Sequence, residues 1–176
     1  MTRTIYYTAT TLDGFLADEH DSLDWLFVQD QDTDGALNYE QFRSTVGAGC
    51  MGATTYEWIL EHEKGKWPYT LPMWVFTHRD LPRHAGVELV QGDVRPVHEA
   101  MVAAADGKDI WMVGGGDLAA DFAEAGLLDQ LMVSIAPVTL GKGRPLFPRP
   151  FDLRLTELAQ NRAFVCATYD VVGPRS

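Results

Sequence analysis

Positive charge is scarce in this sequence. Its 176 residues include 14 lysines and arginines against 25 aspartates and glutamates, a formal net charge of −11 at pH 7. Nucleic-acid binding depends on basic side chains that neutralise phosphates, so we expect no nucleic-acid partner. We attribute the excess of acid to solubility. An anionic cofactor would need a locally positive site against this overall field.

Cysteine and long apolar runs are also scarce. The two cysteines, Cys50 and Cys166, lie inside apolar runs, whereas a secreted disulfide framework uses more cysteines, placed in loops. We therefore expect two buried, reduced thiols and a cytoplasmic protein, with a bridge between the two as the alternative. No signal-peptide core follows Met1, and no apolar run approaches the roughly 20 residues of a membrane-spanning helix.

Two kinds of catalytic pattern are missing. The five histidines show no metal-ligand spacing, so we predict no metal site. Ser22 and Ser134 have no neighbouring partners that would make either of them a nucleophile. The tryptophans at 58, 67, 74 and 111 are more typical of a core or an interface than of a stacking platform.

Apolar runs and amphipathic segments alternate along the chain. Residues 5–10, 74–77 and 110–113 are β-branched, aromatic or apolar runs typical of strands, and 97–105 has helical periodicity. The tail from Phe151 reads as two strands joined by a turn at residues 160–162. This predicts a single α/β domain over 1–176: a three-layer sandwich with a mixed, mainly parallel sheet and a C-terminal antiparallel hairpin.

The sharpest local motif is the run 113–118, where a buried strand meets a helix. Its residues are Val113, Gly114, Gly115, Gly116, Asp117 and Leu118. Glycines at this point let backbone N–H groups approach a phosphate, and the helix N-terminus adds partial positive charge. The spacing differs from the Rossmann fingerprint, and a tight turn that only needs positive φ explains the motif equally well.

Two other strand ends carry polar or small residues. In one, Gly52 and Ala53 precede Thr54 and Thr55, which could bind a second phosphate or simply cap a helix. In the other, Thr77, His78 and Arg79 follow a strand, and the Arg79 guanidinium is suited to a nucleotide phosphate. Ligands of open α/β sheets bind outside the carboxyl ends of the strands, so three such ends point to a nucleotide site.

The order of motifs resembles the dihydrofolate-reductase superfamily along nearly the whole chain. Within it, the chain most resembles the RibD C-terminal domain family, which includes the reductase domain of the bifunctional deaminase–reductase of riboflavin synthesis and related stand-alone proteins. The motifs are TLDGFLA (11–17), SLDWL (22–26), MG (51–52) before TYE (55–57), VGGG (113–116), DQL (129–131), APV (136–138) and LGKGRPLF (140–147).

The resemblance implies an NADPH site, with NADH as the alternative cofactor. The Gly114–Gly116 turn, with a cis Gly114–Gly115 peptide, would meet the pyrophosphate, and 52–55 would hold its other face. Residues 77–79 would lie beside the adenosine 2′-phosphate. The chain departs from its relatives at Ala53, where dihydrofolate reductases often carry a basic residue, and at Gly114, where the riboflavin enzyme carries a substrate-binding acid.

The resemblance also implies a loop over the nicotinamide and a homodimer. The loop spans 12–25 and includes Asp13, Gly14 and Trp25, while Asp30 falls near the position of a substrate-binding carboxylate. The predicted function is reduction of a small C=N or C=O acceptor such as a pterin, a pyrimidine or a riboflavin precursor. The proton would come from water, Asp24 or Asp30. The alternative is an NADP(H)-binding sensor or assembly protein without turnover.

Overall fold

The computed structural model describes residues 1–176 as ten β-strands and five α-helices. The strands are β1 (Thr4–Thr11), β2 (Phe15–Ala17), β3 (Val46–Gly52), β4 (Met73–Phe76), β5 (Val87–Val90), β6 (Asp109–Gly114), β7 (Gln130–Ala136), β8 (Arg144–Pro145), β9 (Phe151–Asn161) and β10 (Phe164–Pro174). The helices are α1 (Asp24–Phe27), α2 (Tyr39–Thr45), α3 (Ala53–His62), α4 (Val94–Ala105) and α5 (Gly116–Glu124).

Eight of the strands form one sheet in the order β5-β4-β3-β6-β1-β7-β10-β9. The six strands from β5 to β7 are parallel to their neighbours, whereas β10 is antiparallel to both β7 and β9. The predicted mixed, mainly parallel sheet with a C-terminal antiparallel hairpin is confirmed. The remaining strands, β2 and β8, pair separately as a small two-stranded sheet.

Helices cover both faces of the large sheet because its central strands are apolar on both sides. On one face, Met101 of α4 and Phe122 of α5 pack in a core cluster with Tyr6 of β1. On the other face, Phe42 of α2 and Tyr56 of α3 pack with neighbouring core residues. Consecutive residues of a strand point to opposite faces, so one strand supplies both cores. The predicted three-layer architecture is confirmed.

Residues at the N-caps define the starts of α2, α3 and α4, and the starts of α3 and α4 differ from the predicted ones by a few residues. Helix α2 begins after Asn38, whose side chain accepts a hydrogen bond from the Gln41 amide, and α4 begins after Asp93, which caps the Arg95 amide. The suggestion that Thr54 and Thr55 cap α3 is wrong. Its N-cap is Gly52, in extended conformation, so both threonines lie within the first helical turn.

The C-terminal hairpin leaves one long strand at the sheet edge. Strand β9 has no partner on its outer side, and nine of its eleven residues are exposed. The turn lies at residues 162–163, slightly later than predicted, and Arg162 there has a φ of 46°. Leu153, Leu155 and Leu158 of β9 are 40%, 50% and 66% exposed.

The two cysteines and the other potential metal ligands do not form a disulfide or a metal site. Cys50 and Cys166 are buried and not bonded to each other, as predicted for reduced thiols. No three or more histidine, cysteine, aspartate or glutamate side chains come together as a metal site. None of the five helices combines the length and the apolar character needed to cross a bilayer.

Candidate functional site

The three strand ends singled out in the sequence lie side by side in the sheet. Strand β3 runs between β4 and β6, with Gly52 beside Phe76 on one side and Met51 beside Gly114 on the other. All three strands are parallel, so their carboxyl ends meet at one edge. Motifs separated by many residues along the chain are thereby brought together.

The turn from β6 into α5 exposes backbone rather than side chains. Gly115 is the N-cap of α5, and no side chain accepts a hydrogen bond at this cap. A Cβ atom placed on Gly115 would meet nothing within 4 Å, so the space beside the turn is open. The Gly114–Gly115 peptide is cis, as the resemblance implies, and Gly114 has a φ of +143°. Free amides and the helix dipole make this turn suited to an anion.

The turn from β3 into α3 repeats this arrangement next to the first. Its N-cap, Gly52, also has no capping side chain. The Cβ position of Gly52 lies 3.9 Å from the Gly115 nitrogen, and that of Gly114 lies 3.9 Å from the Thr55 hydroxyl. The N-termini of two helices therefore approach one place, which adds their partial positive charges in a protein of strongly negative net charge.

Arg79, which follows β4, carries the only guanidinium among the three motifs. The Arg79 amide donates to the Thr77 hydroxyl over 3.0 Å, and His78 Nδ1 lies 3.0 Å from the Gln91 side-chain oxygen. The Arg79 side chain donates two hydrogen bonds to the Glu57 carboxylate, at 3.0 and 2.7 Å. Glu57 lies on α3, and sequence analysis did not single it out because an acid on an exposed helix face is ordinarily solvated.

A two-part cover lies beside the glycine turns, formed by residues 12–25 and 140–147. Asp13 joins the two segments. Its carboxylate accepts hydrogen bonds from the Thr11 hydroxyl at 2.6 Å, the Gly141 amide at 2.7 Å and the Leu140 amide at 3.1 Å. These donors, the Thr11 hydroxyl above all, hold the pKa of Asp13 below its ordinary value. Asp13 therefore joins the two parts of the cover.

Two ion pairs and one backbone hydrogen bond also connect the two segments of the cover. Arg144 donates to the Asp21 carboxylate over 2.7 Å, and Lys142 pairs with Glu19 at 3.0 Å. The Leu146 amide donates to the carbonyl of Gly14 over 2.9 Å, where the chain turns with a φ of +86°. The predicted loop residues Asp13 and Gly14 thus have observed contacts within the cover.

The cover touches the glycine-rich turn at Gly116. A Cβ atom on this residue would lie 2.2 Å from the Pro145 carbonyl oxygen and 2.6 Å from that of Leu146. Only glycine admits the backbone of the cover this close. Of the three consecutive glycines, Gly115 faces open space and Gly116 faces the cover, so their functions differ.

Trp25 anchors the loop instead of facing the site. Its ring is buried in a small core cluster that includes Ala136, Phe164 and Cys166. Two residues later, Phe27 is 57% exposed and stacks against Trp58 and His62 of α3, with ring centroids 6.2 and 5.5 Å apart. Phe27, the last residue of α1, therefore packs α1 against α3 through its aromatic ring.

The two candidate proton donors are exposed. Asp24 is the first residue of α1, and its amide donates to the Ser22 hydroxyl over 3.2 Å. Asp30 pairs with Arg162 at 2.9 Å, beside the turn that leads into β10, the third strand along the sheet from β6. No contact joins either carboxylate to the glycine turns, so their catalytic roles stay predictions.

Comparison with known proteins agrees with this geometry. The Enterococcus faecalis dihydrofolate reductase, solved with NADP(H), superposes with a TM-score of 0.59 at 14% identity, covering 96% of each chain. A protein from Shewanella sp. PV-4 ascribed to riboflavin biosynthesis superposes with a TM-score of 0.82 at 24% identity, covering 97% of this chain and 99% of that one. The fold is therefore dihydrofolate-reductase-like.

The sequence comparisons narrow this class to one family. The profile of the RibD C-terminal domain matches residues 3–167, and the chain belongs to that family. Bacillus subtilis YwjB is 32% identical over 147 residues, which cover 82% of each protein.

Proposed function

We propose that this protein is an NADPH-dependent reductase that acts on a small C=N or C=O compound in the cytoplasm. The observation that carries the proposal is the convergence of two uncapped helix N-termini, at Gly52 and Gly115, on adjacent carboxyl ends of one parallel sheet. Family membership supports reduction, and the similar dihydrofolate reductase was solved with NADP(H).

The residues present fit a dinucleotide. Gly115 leaves room for a pyrophosphate beside free helix amides, where a side chain would intrude. Gly52, Ala53, Thr54 and Thr55 would hold the pyrophosphate from the second helix, and Thr77, His78 and Arg79 would lie by the adenosine end. The bound cofactor would supply the hydride.

The chain itself would orient the reactants and exclude water. The cover, fastened at Asp13 and resting on Gly116, would close over the nicotinamide end of the site. Phe27 and Trp58 would form an apolar wall for a flat acceptor. The proton would come from water, Asp24 or Asp30.

A direct test combines binding with turnover. We expect the protein to bind NADPH in an equilibrium titration and to oxidise it with at least one member of a panel of pterins, pyrimidinones and quinones. Gly115→Val, which fills the open space beside the turn, should weaken binding and abolish oxidation. Binding without oxidation of any acceptor would favour the sensor or assembly protein, and absence of binding would contradict both functions.

We also propose that the chain forms a two-fold homodimer through its C-terminal strands. Leu153, Leu155 and Leu158 of β9 stand opposite Val171, Tyr169 and Ala167 of β10, so they share the sheet face on which these β10 residues join the core. Their exposure on an unpaired edge strand is typical of a surface covered by a partner.

Sedimentation at micromolar concentration tests the dimer. A stable two-fold interface buries at least about 1,000 Å² in total, and Leu155→Glu should break it. The control is Ala159→Glu on the same strand, at an exposed residue opposite Cys166, whose side chain joins the core on the other face of the sheet. A wild-type protein that sediments only with monomer mass would contradict the proposal.

A further inference from the structure

We propose that Glu57 limits the preference of this protein for NADPH over NADH, by binding the guanidinium that would contact the 2′-phosphate of NADPH. The inference rests on the proposed function, because it assigns a role to a residue at the edge of the proposed cofactor site. In the structure, the Glu57 carboxylate accepts hydrogen bonds from Nη1 and Nη2 of Arg79.

The location of the pair places it at the adenosine end of the proposed site. Helix α3 starts at Ala53, directly after the Gly52 cap, so Glu57 lies about one turn from the helix N-terminus. Arg79 is three residues beyond the end of β4, and its amide is fixed by the Thr77 hydroxyl. Because β4 and β3 are neighbours, the end of one and the helix after the other face each other.

Arg79 is the only lysine or arginine among residues 52–57, 77–79 and 113–118. The first residue of α3 is the uncharged Ala53. Within these motifs, Arg79 is therefore the residue that can offer a 2′-phosphate a guanidinium. The guanidinium has five N–H donors in a fixed geometry, so a carboxylate bound at the Nη1–Nη2 edge competes with a phosphate for that edge.

The charges of the pair discriminate between the two cofactors. Arg79 and Glu57 together are neutral, so a 2′-phosphate gains attraction from one and meets repulsion from the other. A 2′-hydroxyl brings no charge and can donate a hydrogen bond to the Glu57 carboxylate. The side chains are 56% and 45% exposed, and exposed pairs hold weakly, so Arg79 can exchange partners. Glu57 thus lowers affinity for NADPH and supports affinity for NADH.

The test compares two variants of the same helix. Glu57→Gln keeps the shape of the side chain and removes the charge. Glu61→Gln makes the same charge change one turn further along α3, at an exposed residue with no ion pair. Equilibrium dissociation constants are measured for NADPH, NADH, adenosine 2′,5′-bisphosphate and AMP, the last two isolating the 2′-phosphate from the rest of the cofactor.

We expect Glu57→Gln to raise the ratio of NADPH to NADH affinity roughly tenfold, the size expected when one charge-assisted contact becomes free. The ratio for the two adenosine probes should rise in parallel. Glu61→Gln should change either ratio by less than about twofold, because the charge is more distant and solvent-screened. In an Arg79→Ala background, Glu57→Gln should have a clearly smaller effect than in the wild type.

The possible failures are distinguishable. If both cofactors bind and Glu57→Gln leaves their ratio unchanged, this inference is overturned and the proposed function stands. An equal rise in the Arg79→Ala background would also overturn it, because Glu57 would then act by general charge. If the wild type binds neither cofactor, the proposed function fails and the inference with it. Circular dichroism of each variant confirms that a changed ratio comes from a folded protein.

Discussion

The carboxyl edge of the sheet has two halves that are built in different ways. The nucleotide half, at the ends of β4, β3 and β6, is made of backbone turns at Gly52 and Gly115 without capping side chains. The cover half, residues 12–25 and 140–147, is held by carboxylates and cations, among them Asp13 and the exposed Asp21–Arg144 pair. A backbone cradle is set by the fold itself, whereas exposed charged contacts are weak and reversible. We therefore expect a preformed nucleotide half and a cover that opens.

Among the substitutions considered, Gly116→Ala, at the contact between the two halves, is expected to have the largest effect. Gly116→Ala would place a Cβ 2.2 Å from a backbone oxygen of the cover, which must shift. We expect the free energy of unfolding to fall by about 1–3 kcal/mol, as in overpacked cores, measured by urea denaturation. Gly115→Ala is the matched control, since its Cβ meets nothing within 4 Å. Equal stability of the two variants would show that the halves do not meet as described.

The Arg79→Ala substitution tests whether the nucleotide half binds the 2′-phosphate through Arg79. Loss of the guanidinium should weaken NADPH binding by roughly 1.5–3 kcal/mol, the range for a charged hydrogen bond. NADH binding should hardly change. Titration calorimetry with both cofactors measures the difference, and equal losses for the two would mean that Arg79 does not contact the 2′-phosphate.

The cover half is tested by Asp13→Asn, which should have a smaller, pH-dependent effect. The lowered pKa of Asp13 means that its carboxylate stabilises the fold above the ordinary pKa, and that this contribution is lost as pH falls through the lowered value. The wild type should therefore melt at a higher temperature than the variant at about pH 7, and this gap should close below about pH 4. A gap that is constant with pH would contradict the role of the charge.

The two halves also differ in how far they can be predicted from the sequence. The nucleotide half is marked by local signals, because the glycines at 114–116 and 52 lie where a strand meets a helix within a few residues. The parallel sheet was likewise predictable from apolar runs such as 110–113. The cover depends on contacts across the chain: Asp13 and Gly141 are separated by 128 positions, and Asp21 and Arg144 by 123. No local pattern encodes such pairs.

Side-chain partners also limited the prediction of the site. Arg79 was predicted to be a phosphate ligand, but its partner Glu57 lies 22 positions away on a helix that carries a second exposed acid, Glu61. Trp25 belongs to a motif of the loop, yet its ring packs in a core cluster with Cys166, which only the fold brings near. The position of a residue in the sequence thus predicted its element, and the fold determined its contacts.

Amide hydrogen exchange with and without NADPH tests the central claim most directly, because it reports which backbone groups the cofactor contacts. We expect NADPH to slow exchange in residues 52–56 and 114–118, the two helix starts that follow Gly52 and Gly115, with a smaller change in 77–79. The cavity between α2 and the C-terminal strands, lined by residues such as Phe42 and Cys166, serves as the internal reference and should be unaffected. Protection at that cavity, with none at the two helix starts, would contradict the account.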